Sequence, residues 1–294
     1  MRLVLARHGQ SVWNQVRKFQ GANDVGLSEL GRAQAEALGR ALRAGFRITA
    51  AYVSPMCRAL DTAEIALAGT GIPLVPIPDL RELSLGEWEG CTVDEVRARD
   101  GNPYHAWVRS PLDCPPPGGE PLPDVCGRVQ KAIGQIGASH ANGDDILVVA
   151  HGGVISVYLC HLLGISFNSL WRMRIDNCSL TIARPPRLVS VNDTAPLPNT
   201  PNTAWFDVSG ERGGSAGAPA GGGSGRRDPF PSTDIGRRAP GWSPAAEEQR
   251  TRAAWSSRPL PHRRPVPRLP RIRPCERGAR TTLGGADRGR AGRR

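Results

Sequence analysis

Two histidines in this sequence each follow a short apolar run and each precede a glycine, a pattern that suits phosphoryl transfer. His8 stands between Arg7 and Gly9, and His151 precedes Gly152. A neutral imidazole nitrogen can attack phosphorus, and an adjacent guanidinium can neutralise the oxygens of the transferring group. Glycine lacks a Cβ atom, so we expect Gly9 to let the backbone approach a phosphate closely. One such histidine alone is more often a structural residue, so the interpretation depends on the groups that accompany it.

Two further groups with suitable chemistry lie between the histidines in the chain. Arg58 stands in the first turn of a predicted helix, where its guanidinium and the positive end of the helix can face the same anion. Glu82 can protonate a leaving oxygen, a step that phosphoryl transfer needs because an alkoxide is a poor leaving group. We expect the apolar residues around Glu82 to keep its carboxyl group protonated. Glu87 and Glu89 are alternative acids.

The elements that must hold these groups together alternate in type along the chain. Predicted strands cover 2–6, 50–53, 73–78, 146–150, 178–183 and 188–191, and predicted helices cover 28–44, 57–67, 125–139 and 154–163. This alternation predicts an α/β fold with a mostly parallel central sheet flanked by helices. Ligands bind outside the carboxyl ends of parallel strands. Three of these ends carry His8, Ser54 and His151, so we expect these residues to meet at one site.

The complete set of motifs resembles the histidine phosphatase superfamily, which includes the cofactor-dependent phosphoglycerate mutases. The resemblance covers 1–195 and rests on Arg7-His8-Gly9, Arg58, Glu82 and His151-Gly152, in that order. It implies that His8 is the phosphorylated nucleophile, that Arg7, Arg58 and His151 bind the phosphate, and that Glu82 protonates the leaving group. From the chemistry itself we expect His151 to be cationic, so that it stabilises the phosphoryl oxygens with the two arginines. Water would then hydrolyse the phosphohistidine, with the same carboxylate as base. The family pattern implies further phosphate or substrate contacts at Asn14, Gln20, Gly21 and Gly152.

The segment between the acid and the second histidine favours a phosphatase over a mutase. Mutases of the family carry a longer insertion there, with a Tyr-Arg-Arg element that binds the substrate. Here Tyr104 is followed by His105, and the arginines Arg97, Arg99 and Arg109 stand singly. We therefore expect a metal-independent phosphomonoesterase that acts on a small phosphorylated metabolite, such as α-ribazole phosphate or a sugar phosphate. A cofactor-dependent phosphoglycerate mutase is the alternative.

The same segment, 82–123, is rich in Trp, Pro and Gly and has weak periodicity. We expect it to lie over the strand ends as a partly irregular insertion that forms a partial lid. Its 86–90 stretch resembles broad-specificity and α-ribazole phosphatases. The sequence Gly118-Gly119-Glu120 resembles a family Pro-Gly-Gly-Glu turn, although Pro121 stands where the family commonly has a hydroxyl residue.

The positive charge of the chain is concentrated in its last third. The segment 196–294 holds 19 Arg, no Lys and 8 Asp or Glu, which accounts for the whole formal charge of +11. It also holds 14 Pro and 15 Gly without an apolar period, a composition that predicts a disordered tail. An Arg-rich disordered tail can bind RNA or an acidic surface, which is an alternative function of another class. A genuine tail and a product of read-through or frameshift both remain open.

The remaining composition favours a soluble cytoplasmic protein. The seven cysteines are scattered, and no pair has C-x-x-C spacing, a pattern typical of reduced thiols. The first residues are too short an apolar run for a secretory signal, and no run is long enough to span a membrane. No group of His, Cys and Asp has the spacing of metal ligands, so we expect neither a metal nor another cofactor. The sequence contains no signal that indicates the oligomeric state.

Overall fold

The computed structural model describes residues 1–195, and the disordered tail predicted for 196–294 lies outside them. The described part is an α/β structure in which six strands form one sheet. The strands are β1 (Arg2–Arg7), β2 (Ile48–Val53), β3 (Leu74–Pro76), β4 (Asp145–Ala150), β5 (Leu180–Arg184) and β6 (Arg187–Asp193). The helices are α1 (Val12–Gln15), α2 (Glu29–Gly45), α3 (Cys57–Ala66), α4 (Val93–Arg97), α5 (Pro103–Arg109), α6 (Leu122–Ala138) and α7 (Gly152–Leu163).

The sheet has the strand order β3-β2-β4-β1-β5-β6. The first four strands of this order pair in parallel, and the last two are antiparallel, which confirms the predicted mostly parallel sheet. All six residues of β4 are buried, as expected for a parallel strand that is covered by helices on both faces. Two apolar cores lie on the two faces of the sheet.

The register of the three neighbouring strands β2, β4 and β1 brings their carboxyl ends together. Arg7 pairs with Ala150, and Val53 pairs with Val149. The backbone N–H of His8 then donates to Ala150 O over 3.0 Å, and that of Ser54 donates to Val149 O over 2.9 Å. The predicted convergence of three strand ends is therefore confirmed, because parallel strands in this register end at the same edge.

Local capping explains where several helices begin. Ser28 caps α2 by accepting a hydrogen bond from the backbone N–H of Gly31, as the sequence predicts. Helix α6 begins at Leu122, three residues earlier than expected, because Pro123 fits a first helical turn that needs no intrahelical N–H bond. Helix α1 was not expected. It is a single turn held by a capping box between Ser11 and Asn14.

The predicted insertion is more regular than expected, since it contains α4 and α5. Its aromatic residues join the core: Trp107 packs edge-on against Trp88 at 5.3 Å between ring centroids and against Trp171 at 4.7 Å. Such pairs stabilise a core beyond the area that they bury. Within residues 1–195, no helix is both long enough and apolar enough to cross a lipid bilayer.

Candidate active site

A cavity of about 240 Å³ lies at the carboxyl ends of the central strands and receives most of the predicted site residues. The predicted residues that line it are Arg7, His8, Asn14, Gln20, Gly21, Arg58, Glu82 and Gly152. His151 is fully buried beside them, with its ring centroid 5.1 Å from that of His8. The insertion contributes Leu83, Leu85 and Trp107 to the wall, which confirms that it covers the strand ends.

The ring of His8 is oriented for nucleophilic attack through Nε2. Its Nδ1 lies 2.7 Å from Gly9 O. A carbonyl oxygen only accepts, so Nδ1 carries the hydrogen and Nε2 keeps its lone pair. Burial, assisted by the charges of Arg58 and Arg7, lowers the pKa of His8 well below its usual 6.5. The imidazole is therefore neutral at neutral pH, which is the state that can attack phosphorus.

Backbone contacts hold the Arg7–His8 dipeptide in place, and one of them involves a residue that the sequence did not indicate. The side-chain amide of Asn177 donates to His8 O over 2.9 Å, and the backbone N–H of Cys178 donates to Arg7 O over 3.0 Å. Asn177 also donates to Asn14 Oδ1 over 3.3 Å. Because Asn14 Oδ1 accepts this bond, the Nδ2 group of Asn14 is the group that can donate to a ligand in the cavity that Asn14 lines.

The structure gives Gly9 a role other than the predicted one. A Cβ atom on Gly9 would lie 2.5 Å from Gly31 O, so the missing side chain allows close packing of the backbone against α2. The backbone N–H of Gly9 donates to Thr62 Oγ1 over 2.9 Å. The glycine thus allows close packing beneath the nucleophile, and close approach of its backbone to a phosphate stays a prediction.

Two arginines supply positive charge to the cavity that His8 lines. Arg7 donates from one terminal nitrogen to Ile175 O over 2.7 Å, and its buried Nε has no partner among the described residues. Arg58 donates to Asn23 O over 2.8 Å and to Gly21 O over 3.1 Å. Burial lowers the pKa of Arg58 to about 10, so this guanidinium stays charged at neutral pH. Such charges stabilise the oxygens of a transferring phosphoryl group.

His151 is held by hydrogen bonds at both ring nitrogens. Its Nδ1 accepts from Arg58 Nε at 3.3 Å, so Nε2 carries the hydrogen and donates to Ser54 Oγ at 2.7 Å. Burial, followed by the charge of Arg58, lowers the pKa of His151 well below 6.5. The expected cationic His151 is therefore wrong for this state, because the buried ring faces a guanidinium and is neutral. Ser54 marks a strand end in the sequence, but its bond to His151 was not predicted.

Glu82 lies over the N-terminus of α7, in the apolar segment that we expected, where Leu80 and Leu83 are buried. Backbone groups bond its carboxyl oxygens. Its carboxylate accepts from the backbone N–H groups of Gly153 and Val154, each over 3.3 Å, and from that of Leu83 over 3.0 Å. The positive end of the helix also attracts a carboxylate. The helix that begins directly after His151 therefore positions both the second histidine and the acid.

The rival acids are not part of the cavity lining. Glu89 Oε1 accepts from Ser84 Oγ over 2.9 Å and from the backbone N–H of Ala22 over 3.0 Å, while its Oε2 accepts from Asn23 Nδ2 over 2.9 Å. This carboxylate links the 20–23 loop to the insertion. Glu87 also does not line the cavity. Among the three carboxylates that the sequence offered, Glu82 alone lines the cavity.

A pair of charged residues braces the backbone that carries Glu82. Arg128 on α6 forms two parallel 2.8 Å hydrogen bonds with Glu120, in the turn that resembles the family motif. Its remaining donors reach Asp79 O over 2.9 Å, Arg81 O over 2.6 Å and Glu82 O over 3.3 Å. Arg128 lowers the pKa of Glu120 against the opposing effect of burial. Neither residue was among the predicted site residues, because the link to Glu82 depends on contacts of Arg128 across 46 to 49 positions of sequence.

Gly153→Ala tests whether the start of α7 positions Glu82. A Cβ atom at Gly153 would collide with Leu83 Cδ2 and lie 2.7 Å from Glu82 Oε1, so the acid must move. We expect kcat to fall about tenfold to a hundredfold, since small displacements of a catalytic group cost that much. Gly134→Ala on α6 is the control, because nothing lies within 4 Å of its Cβ position. It should keep kcat and raise stability by about 0.5–1 kcal/mol. Equal kcat values in both variants would contradict the claim that the start of α7 positions Glu82.

The two buried histidines predict a loss of stability in acid. Their pKa values are lowered in the folded state, so the unfolded chain binds protons first as the pH falls below 6.5. The free energy of unfolding should then fall by up to about 1.4 kcal/mol per histidine per pH unit. Urea unfolding at pH 7.5 and 5.5 measures this, and His8→Gln should reduce the difference. The exposed His161 provides the control variant His161→Gln. A His8→Gln variant with the full acid loss would refute the assignment.

Comparisons with known proteins agree with this geometry. Residues 3–190 match the family model of the histidine phosphatase superfamily, branch 1. A 2,3-bisphosphoglycerate-dependent phosphoglycerate mutase of Methylobacterium is 40% identical over 174 residues, which are 57% of this chain and 83% of that protein. The structure of a mycobacterial glucosyl-3-phosphoglycerate phosphatase is similar with a TM-score of 0.62 and 31% identity, covering 66% of this chain and 99% of that one.

A third similar protein is the α-ribazole phosphatase of Shigella flexneri. Its structure has a TM-score of 0.58 and 27% identity, and the match covers 69% of this chain and all of that one. The range 3–190 that matches the family model contains His8, Arg58, Glu82 and His151. We conclude that the chain belongs to branch 1 of the histidine phosphatase superfamily and is an enzyme of the phosphatase class.

Proposed function

We propose that the chain is a metal-independent phosphomonoesterase that acts through a phosphohistidine intermediate on a small phosphorylated metabolite. The observation that carries the proposal is the state of His8, a neutral imidazole with a free Nε2 lone pair in a cavity that two guanidinium groups also line. A cavity of about 240 Å³ suits a small metabolite, because drug-sized ligands occupy larger pockets.

The proposed reaction has two steps. His8 Nε2 attacks phosphorus, the bond to the leaving oxygen breaks, and Glu82, which enters this step as the carboxylic acid, gives its proton to that oxygen. Water then attacks the phosphohistidine while Glu82 takes its proton, so that His8 and inorganic phosphate are released. Arg7 and Arg58 stabilise the phosphoryl oxygens in both steps, and the N–H groups at the start of α7 orient the Glu82 carboxyl group.

The arginines of the insertion support hydrolysis over mutase chemistry. None of Arg97, Arg99 and Arg109 lines the cavity. The guanidinium of Arg97 lies 4.7 Å from the ring centre of Tyr104, which is buried in the core. A mutase must hold a bisphosphorylated intermediate, and the insertion offers no arginine for its second phosphate. The similar protein named as a phosphoglycerate mutase keeps the mutase as the second candidate.

A substrate panel distinguishes the candidates. We expect hydrolysis of p-nitrophenyl phosphate that persists in EDTA, and the panel adds α-ribazole phosphate, a sugar phosphate, glucosyl-3-phosphoglycerate and 3-phosphoglycerate. The first and third test what the names of the similar phosphatases suggest. Conversion of 3- to 2-phosphoglycerate that requires 2,3-bisphosphoglycerate and exceeds hydrolysis would favour the mutase. Activity that disappears with EDTA and returns with a divalent metal would refute the proposed mechanism.

A further inference from the structure

Much of the cavity wall is apolar. Its apolar members are Phe19, Leu83, Leu85, Trp107, Trp171, Met173 and Ile175. A hydrocarbon or planar ring gains free energy from contact with such a surface, at about 25 cal/mol per Å² removed from water. The cavity therefore suits a phosphate ester whose body is apolar or aromatic.

One short segment, 171–175, lines this wall and is anchored at both ends. Trp171 packs against Trp107 at 4.7 Å between ring centroids. At the other end, Ile175 O accepts a hydrogen bond from Arg7, which belongs to the phosphate site. Arg172 and Arg174 lie between these anchors and also line the cavity. The segment therefore joins two further guanidinium groups to the site through a fixed backbone.

The charges that line the cavity do not balance. Among residues 1–195, four arginines line it against a single carboxylate, that of Glu82. Arg7 and Arg58 serve the phosphate, and Arg174 Nε forms a 2.7 Å ion pair with Asp176 Oδ2. Arg172 is exposed and makes no hydrogen bond, ion pair or ring contact with any residue of 1–195. One positive charge at the cavity is therefore left without a partner in the described part of the chain.

We propose that Arg172 binds a second anionic group of the substrate, and that this group is a carboxylate. The substrate class is then a phosphate monoester with an apolar or aromatic body that carries a carboxylate away from the phosphate. A carboxylate matches the planar fork of a guanidinium with two parallel hydrogen bonds. This inference rests on the proposed function, because it takes the bound phosphate ester to be a substrate. The binding itself can be measured without turnover.

Binding of non-hydrolysable phosphonates tests the proposal on the full chain. We would measure Kd calorimetrically for benzylphosphonate and for its 3- and 4-carboxy derivatives, at low and at high salt. The better carboxylated isomer should bind about five- to tenfold more tightly than benzylphosphonate at low salt, since solvent reduces the strength of an exposed pair. Added salt should reduce this advantage. Arg172→Gln should reduce the ratio of the two Kd values to below about twofold.

Two control variants make the assignment specific. Arg187→Gln removes the same charge from an exposed position of β6 that does not line the cavity, and it should keep the ratio. Arg174→Gln should keep most of the ratio of the two Kd values, because Arg174 already pairs with Asp176. The proposal is overturned if neither carboxylated isomer binds more tightly, or if Arg174→Gln removes the preference while Arg172→Gln keeps it. Hydrolysis of phenyl phosphate with no carboxylate preference would refute this subsite and leave the proposed function standing.

Discussion

His8→Ala should reduce hydrolysis of p-nitrophenyl phosphate by at least about 10⁴-fold and abolish acid-labile phosphate on the protein. The variant lacks the nitrogen that forms the covalent bond, and loss of a nucleophile costs several orders of magnitude. Its fold should persist, because the backbone bonds of His8 to Ala150 and Asn177 do not involve the ring. Rapid quenching with a labelled substrate, followed by acid and alkali treatment, measures the phosphohistidine, which survives alkali.

His161→Ala is the matched control for that experiment. His161 is exposed on α7, away from the cavity lining, and its ring bonds to Gln130. This variant should keep both turnover and labelling. A His8→Ala protein that still becomes labelled at histidine, or that retains more than about a tenth of the turnover, would mean that another residue carries the phosphoryl group.

Arg128→Ala should reduce both stability and kcat, because one guanidinium braces the Glu82 backbone. The side chain of Arg128 is 8% exposed, and that of Glu120 is 16% exposed. Removal of one partner of a nearly buried ion pair costs about 3–5 kcal/mol of unfolding free energy. Displacement of Glu82 should also reduce kcat about a hundredfold. KM should change far less, because Arg128 does not line the cavity.

The substitution Arg128→Lys separates an effect on the position of Glu82 from an effect on the stability of the fold. Arg128→Lys keeps the charge but loses the fork that bonds Glu120 and three carbonyl groups, so we expect partial recovery of stability and little recovery of kcat. Lys131→Ala is the control on the same helix: it removes an exposed ion pair with Asp79, worth at most about 1 kcal/mol. Wild-type kcat in a folded Arg128→Lys or Arg128→Ala protein would show that the brace does not position the acid.

Much of the fold follows from patterns that extend over several residues. Each long helix and strand of the described part was predicted, because apolar periodicity reports which face is buried. The short helices α1, α4 and α5 were missed. Their four to seven residues are too few for a periodic signal, and side-chain caps at Ser11, Thr92 and Asn102 hold their first turns. Such helices depend on contacts with the rest of the fold.

The site divides in the same way. His8 and His151 directly follow strand ends, and with Arg58 they form a local motif set that the family resemblance identified. Their supports could not be identified in this way. Ser54 reaches His151 across 97 positions of sequence, and Asn177 reaches His8 across 169. The protonation states depend on burial as well, so the neutral His151 follows from the fold and not from the motif.

The loop 20–23 forms hydrogen bonds with two different side chains, and this affects the kinetics that we expect of the enzyme. Arg58 holds the loop through two carbonyl groups, and Glu89 holds it through Ala22 and Asn23. The loop that presents Gln20 to the cavity is thus ordered before any substrate arrives, so binding loses little conformational entropy there. We expect the first turnover to show a burst of leaving group, with hydrolysis of the covalent intermediate, and not loop opening, as the slow step.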